Sequence, residues 1–297
     1  MNSVDQCIHW RHSAYTPVMN TALQQPASLA HFLERHPRLV VLGGAGISAA
    51  SGLPTYRDRQ GNWRHRKPIQ HRDFLRDQRT RQRYWARSMV GWPGVRDAQP
   101  NDAHRRLATL ERAGHVELLI TQNVDRLHQQ AGSCRVIDLH GRLDRVVCLD
   151  CASIIEREEM QVRLLTLNPA LCLAPGKPRP DGDRDLPEQV LADFAVPACK
   201  RCQGILMPDV VFFGGTVPRA RVDSAMDALR RADALLAIGS SLQVYSGYRF
   251  CRQAAALGKP VAIVNPGPTR ADDLAALRLH QSASEALAQA TDSIRLR

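Results

Sequence analysis

The chain lacks any apolar run approaching the length of a membrane span, although 44% of its 297 residues are hydrophobic. That share is ordinary for a globular protein, and no membrane partner is expected. The first twenty residues, MNSVDQCIHWRHSAYTPVMN, lack an apolar h-region and carry Asp5 with a single arginine. Neither a secretory signal nor a transit peptide is therefore expected, and the chain is assigned to the cytoplasm. Without export, its eight cysteines are not expected to form a disulfide framework. Lysine is scarce: only four of the 40 basic residues (Lys67, Lys177, Lys200, Lys259) are lysine, so arginine carries the formal charge of +11. A genome's base composition alone can produce such a bias. Basic and aromatic residues do not interleave as they do on a nucleic-acid stacking platform, so nucleic acid is not an expected partner.

Residues 40–52 read V-V-L-G-G-A-G-I-S-A-A-S-G. An apolar run breaks there into small residues, as a buried strand does when its loop must be approached closely at the backbone. The dinucleotide fingerprint G-x-G-x-x-G is also missing, because Gly44 and Gly46 are followed by Ala49 and the next glycine is Gly52. Taken alone, the stretch fits a tight turn with no ligand as well as it fits a nucleotide loop. Further on, Arg57 to Arg87 holds eleven basic residues against three aspartates. That run reads either as a patch that attracts an anion or as the solvated face of a helical segment.

What is present is more specific. Cys148 and Cys151 form C-L-D-C, and Cys199 and Cys202 form C-K-R-C. Two thiolate pairs at this spacing are what one tetrahedral zinc needs, and four sulfur ligands leave no open position for a substrate. The zinc is thus structural. The 47 residues between the pairs carry the Pro- and Gly-rich stretch N-P-A-L-C-L-A-P-G-K-P-R-P-D-G-D-R-D, read as a loop-like excursion hung on the metal. A zinc-ribbon nucleic-acid-binding protein is the competing class, but the basic residues lie mainly outside the zinc segment.

Four short runs are apolar almost throughout: Leu39–Leu42, Val116–Ile120, Ala234–Ile238 and Val261–Val264. Such runs suit strands buried on both faces of a parallel sheet, and helical patterns at 102–113 and 221–231 lie between them. The fold class is α/β, with right-handed crossovers. The runs are followed by G-G-A-G-I-S, T-Q-N-V-D, G-S-S and N-P-G. In an open α/β sheet the ligand sits beyond the carboxyl ends of the strands, so four polar or small turns at that edge favour a nucleotide site.

With these segments in order, the chain resembles the sirtuins, the NAD-dependent protein-lysine deacylases. The resemblance rests on G-A-G-I-S-A-A-S-G-L-P (44–54), Q-N-V-D-R-L-H (122–128), L-H-G (139–141), both cysteine pairs, P-D-V-V-F-F-G (208–214), G-S-S-L-Q-V-Y (239–245) and N-P-G (265–267). R-K-P-I-Q-H, R-Q-R-Y-W-A-R and V-G-W-P look like the class II branch that includes mitochondrial sirtuin four of animals, which favours the solvated reading of the basic run. The resemblance implies a discontinuous Rossmann-like NAD-binding domain (27–56, 96–142, 208–290), a helical insertion (57–95), a zinc-binding module (143–207) and an N-terminal extension (1–26). It implies that NAD is consumed: the acyl oxygen of an acylated lysine in a protein or peptide attacks the nicotinamide ribose, nicotinamide leaves, and O-acyl-ADP-ribose forms. Protein ADP-ribosyltransferase or NAD glycohydrolase activity at the same site is the alternative.

By the same resemblance His140 is the base and Asn123 orients ribose or water. NAD contacts are expected from Gly44, Ala45, Gly46, Ser48, Tyr56 and Arg57, and from Gln122, Asn123, Val124 and Asp125. Gly239, Ser240 and Ser241 belong to the same set, with Asn265, Pro266, Gly267 and Ala283. Backbone N–H groups of Ala45, Gly46 and Ser240 suit phosphates. Val211 and Phe213 match the strand that pairs with substrate peptide. Thr55 and Gly215 stand where the family commonly has acidic residues. No carboxylate-reading Tyr-x-x-Arg occurs at Asn62-Trp63-Arg64-His65-Arg66, so dicarboxylic acyl groups are not expected.

Overall fold

Valine, leucine and isoleucine dominate the four apolar runs, and each run forms a strand. In chain order the strands are β1 (Leu39–Gly43), β2 (Val116–Thr121), β3 (Val136–Asp138), β4 (Gly141–Cys148), β5 (Ile154–Glu156), β6 (Leu206–Val210), β7 (Ala234–Ile238), β8 (Val261–Val264) and β9 (Leu277–Leu279). The structure is a computed structural model that describes residues 28–58, 60, 62–64, 68–171, 179, 182–184, 186–187, 191 and 193–293. The expected N-terminal extension 1–26, with Cys7, lies outside the described residues, as do Cys172, His65 and Arg66.

Six strands form one sheet in the order β3-β2-β1-β7-β8-β9, and every neighbouring pair is parallel. β1, β7 and β8 are buried at every position because apolar cores cover both faces. Val41, Leu236 and Ala262 meet Leu107 and Leu287 on one side. Val40, Leu235 and Ile263 meet Leu229 and Phe250 on the other. The chain direction across the sheet reverses between β1 and β7, whose ends Gly43 and Ile238 are register partners. A ligand crevice opens at such a switch point.

A second sheet, β5-β4-β6, is antiparallel. Its apolar face packs against Phe74, Tyr84, Trp85 and Met89 of the helical insertion, in one core with Cys148, Cys199 and Met160. Helical insertion and zinc module therefore share a core. The segment between the cysteine pairs is not all loop: Arg157–Leu167 is a helix, with Met160, Gln161 and Leu164 buried. Arg157, 1% exposed, donates to the Ser88 carbonyl and hydroxyl (both 3.1 Å), and its guanidinium lies 5.0 Å from the Trp92 ring centroid. It joins that helix to the helix Gln78–Arg96. In the basic run Arg72, Arg76, Arg79 and Arg83 are solvent-exposed, as a solvated helix face requires. No described helix is long and apolar enough to cross a membrane.

Candidate active site

The loops after β1 and β7 are pressed together at the switch point. The Gly44 N–H donates to the Ile238 carbonyl (3.2 Å), and the Gly46 N–H donates to the Gly239 carbonyl (2.8 Å). A Cβ on Gly46 would lie 2.8 Å from the Gly239 oxygen, and one on Gly44 would lie 2.7 Å from Ser240 Cβ. The close backbone approach that these glycines allow is thus made by the neighbouring loop. This corrects the expectation for the Gly46 amide: it is engaged within the protein and does not point at a phosphate. The Ala45 and Ser240 amides donate to no protein acceptor among the described residues.

Behind this loop Ser48 is 2% exposed and organises a polar cluster. Its hydroxyl donates to Asp125 Oδ2 (2.6 Å) and accepts from Asn123 Nδ2 (3.0 Å), which also reaches the Gly44 carbonyl (3.1 Å). Burial pushes the Asp125 carboxyl above its ordinary range, opposed by the Ser48 hydroxyl and the Leu127 N–H. Asn101 Nδ2 ties in the Ile47 carbonyl (2.8 Å), while its backbone N–H donates to His104 Nδ1 (3.3 Å). Nδ1 is therefore the acceptor, and Nε2–H faces Ser48 Oγ across a long contact of 3.5 Å.

His104 packs edge-on against His128, with ring centroids 4.7 Å apart, and both side chains are buried. Burial lowers His104 to about 4 and His128 well below its usual value. An unfolded histidine protonates near about 6.5, so the unfolded chain takes up protons first. Stability due to the pair is fully present above that pH and is lost as pH falls towards 4. His104 alone accounts for about 3 kcal/mol by pH 4. Urea midpoints measured from pH 7 to pH 4 should fall steeply for the native sequence and less steeply for His104→Gln; equal slopes would remove His104 from the account.

His140 lies in the turn joining β3 to β4, where the large sheet hands the chain to the small one. Its Nδ1 is 3.0 Å from the Gln122 carbonyl, which can only accept, so Nδ1 carries the proton and Nε2 the lone pair. The Val211 N–H fixes the His140 carbonyl (2.8 Å). Burial lowers the imidazole's pKa, helped by the nearby guanidinium groups of Arg221 and Arg249, while the Gln122 contact opposes the shift. The ring is a neutral base at pH 7. It faces a cavity of about 570 Å³ that Ser48, Asn123, Asp125 and Ser240 also line.

The family model for the Sir2 family matches residues 44–246, more than half of the chain. The chain belongs to the Sir2 family. This sirtuin is 53% identical over 271 residues to the NAD-dependent protein deacetylase of Xanthomonas campestris pv. campestris, covering 91% of this chain and 92% of that one. It is 46% identical over 295 residues to the mitochondrial NAD-dependent protein lipoamidase sirtuin-4 of Bos taurus, covering 94% of each. A solved Sir2 complex with a p53 peptide and NAD+ matches it with a TM-score of 0.69 at 30% identity, over 88% of this chain and 94% of that chain.

The sirtuin cavity gathers most of the residues singled out in the sequence: those at 44–48, 56–57, 122–125, 140, 211, 213, 239–241 and 265. Pro266 and Gly267 are not among its lining residues. Ala283, 4% exposed, packs into the core at the start of the helix Ala283–Ser293 and does not reach the cavity either. Asn265 Nδ2 donates to the Gly267 carbonyl (2.8 Å), which leaves Oδ1 as an acceptor for a ribose hydroxyl. β6 ends at Val210, so Val211 and Phe213 follow the strand. The Val211 amide already serves His140, and the Phe213 carbonyl accepts from the His71 N–H (2.8 Å). Thr55 donates to the Arg57 carbonyl (2.8 Å), fixing the loop without a carboxylate. A Cβ on Gly215 would lie 2.9 Å from the Phe212 carbonyl.

Several lining side chains were not foreseen, among them Trp63, Ser246, Tyr84 and Arg87. Trp63 meets Tyr56 and Phe213 edge-to-face, and Arg57 lies over its ring at 4.2 Å. Ser246 touches His140. Tyr84 and Arg87 also line the cavity, and they form a Tyr-x-x-Arg, Tyr84-Trp85-Ala86-Arg87, on the helix Gln78–Arg96 rather than at 62–66. The ground for setting dicarboxylic acyl groups aside is thereby removed. Arg87 also pairs with Asp183 at 2.8 Å, with 13% and 3% side-chain exposure.

The four zinc-candidate sulfurs lie within 4.8 Å of one another. Cys148 and Cys202 are 3.5 Å apart and Cys151 and Cys199 3.7 Å, close to the roughly 3.8 Å edge of a tetrahedron with Zn–S bonds of about 2.3 Å. Ala152 (φ 55°) and Gln203 (φ 64°), each one residue past a pair, turn through the left-handed region and close two matching knuckles. Ser153 Oγ bridges Cys151 (3.2 Å) and Cys199 (3.4 Å). The donor set fits one structural Zn2+.

Proposed function

We propose that this sirtuin is an NAD-dependent protein-lysine deacylase that releases nicotinamide and O-acyl-ADP-ribose. One observation carries the reading: a neutral imidazole, with Nδ1–H held by a carbonyl, presents its basic Nε2 in the wall of a cavity built at the switch point of a parallel sheet. Bound NAD supplies a ribose carbon from which nicotinamide can depart and to which an acyl oxygen can bond. The protein's part is positioning and proton movement. Ala45 and Ser240 amides suit phosphate oxygens at the loop ends. Asn123 and Ser48 offer neutral hydrogen bonds beside the reacting ribose, and Asp125, pushed up by burial, can meet a carboxamide. His140 Nε2 takes the proton of a ribose hydroxyl. The lysine-bearing peptide enters beside Val211 and Phe213, and its acyl chain extends towards Ile69, Tyr84, Val95 and Leu143.

Mass spectrometry of products after incubation with NAD and an acyl-lysine peptide tests this. Free lysine peptide, nicotinamide and O-acyl-ADP-ribose should form in equal amounts. ADP-ribosylated protein with the peptide still acylated would assign a transferase instead, and ADP-ribose alone a glycohydrolase.

A further inference from the structure

A histidine base has two nitrogens, and in a half-buried ring each is steadied by a partner. Gln122 supplies the first through its carbonyl. The second, His140 Nε2, lies 2.7 Å from Ser246 Oγ. Since Nδ1 carries the proton, the Ser246 hydroxyl donates to the Nε2 lone pair. Ser246 stands in the first turn of the helix Tyr245–Ala256 and lines the cavity. Its neighbour Gly247 packs so tightly on Gln122 that a Cβ there would lie 2.6 Å from Gln122 Oε1. Gln122 is itself held by Ser240 Oγ (2.9 Å) and the Gly43 carbonyl (3.2 Å). The two groups that grip the imidazole therefore belong to one packed unit and cannot drift apart independently.

The charged groups that act on the ring, Arg221 and Arg249, are both cations, and Arg221 is only loosely paired with Asp209 at 3.8 Å. When the ribose O–H bond breaks and its proton forms the Nε2–H bond, the new imidazolium needs an acceptor, while the electron pair stays on the ribose oxygen. A hydroxyl can serve both states, as donor before the transfer and as acceptor after it, by rotating about Cβ–Oγ. We propose that Ser246 is a positioning residue for the base: it keeps His140 Nε2 aimed into the cavity at rest and accepts the imidazolium N–H once the ribose proton has moved. This rests on the deacylase reading.

The experiment compares Ser246→Ala, Ser246→Cys and Ser246→Thr. Deacylation by S246A should fall about tenfold or more in kcat, with KM for NAD within about twofold, and S246T should recover to within about threefold of the native rate. Nicotinamide release into exchange with labelled nicotinamide precedes the base's step, so S246A should retain it. S246A loses the hydroxyl's bond to both states, but the charge-assisted bond to the imidazolium is the stronger, so the acid limb of the pH profile should move to lower pH in S246A and return in S246T. Independent of turnover, NMR of histidine-labelled free protein should show the His140 imidazole titrating lower in S246A than in the native chain. S246C keeps the volume with a weaker partner and should lose the same step if S246A does not fold.

Native deacylation with an unchanged His140 titration in S246A would make Ser246 a helix-turn residue only. Parallel loss of exchange and deacylation would also overturn the proposal, because it would put the defect in binding. If the native enzyme deacylates no peptide, the deacylase reading fails, yet the NMR titration still decides the Ser246–His140 contact.

Discussion

His140→Ala lowers deacylation by about a hundredfold or more while the protein stays folded, its melting temperature moving by less than about 4 °C. The size of the effect follows from the geometry. Among the groups around the reacting ribose, Asn123 and Ser48 have no basic lone pair to offer at neutral pH. Asp125 is turned away by its bonds to Ser48 and the Leu127 N–H. Only the imidazole combines a fixed tautomer with a basic nitrogen, whose one protein partner among the described residues is the Ser246 hydroxyl. Little stability is lost because the ring is half-buried in a cavity wall, and water can satisfy the Gln122 carbonyl and the Ser246 hydroxyl that it leaves. The same variant should keep nicotinamide exchange, since that step needs the acyl oxygen and the NAD loops but no base. In the native enzyme, burial and two arginines lower the pKa of His140, so the rate should hold to a lower pH than an ordinary histidine would allow. The decisive number is kcat/KM for an acyl-lysine peptide: a value within tenfold of native would take the base assignment away from His140.

The sequence made the central strands plain because burial on two faces leaves an unbroken apolar run, as in Leu39–Leu42 and Ala234–Ile238. β3 and β9 are three residues each and carry charge, Asp138 and Arg278, so no such run announces them. The helix Arg157–Leu167 was hidden by the Pro- and Gly-rich tract that follows it, and by polar residues, Arg157 and Gln161, that are buried through hydrogen bonds across to another helix. At the site, motifs named the loops but not what each atom does. Gly46 was read as a phosphate contact because glycines accompany nucleotides, whereas its amide is taken by Gly239. Ser246 had no local signal: its meaning comes from a helix start 106 residues away from His140 in the chain. Asn101 and His104 went unremarked in the sequence; together they cap the helix Asp102–Arg112, and the same side chains brace Ser48 and its loop. Tyr84 and Arg87 were visible as letters and missed as a pair because their place on the cavity wall depends on where the helix Gln78–Arg96 docks.

Removing the zinc, by Cys199→Ser or by a strong chelator, should unfold the small domain and abolish activity, although none of the described cysteines lines the cavity. Cys148 and Cys199 are buried in the core formed by Phe74, Trp85, Met160 and Leu206. Without an ion, four sulfurs packed at these distances lose the only partner that favours their thiolate forms together. Binding of a structural zinc is worth on the order of 10 kcal/mol or more in isolated fingers, comparable to the stability of an entire domain. The small core cannot replace that. Trp85 and Trp92 sit in this domain, while the two cores flanking the parallel sheet contain no tryptophan among the described residues. Tryptophan emission should therefore shift to the red on chelation while much of the helical circular dichroism from the larger domain persists. Tyr84, Ile69 and Val210 would leave the cavity wall with the small domain, so deacylation should fall along the same titration curve as the fluorescence, and added Zn2+ should restore both. Metal analysis should give one zinc per native chain; a C199S protein that melts and turns over like the native one would show that the four thiols carry no structural ion.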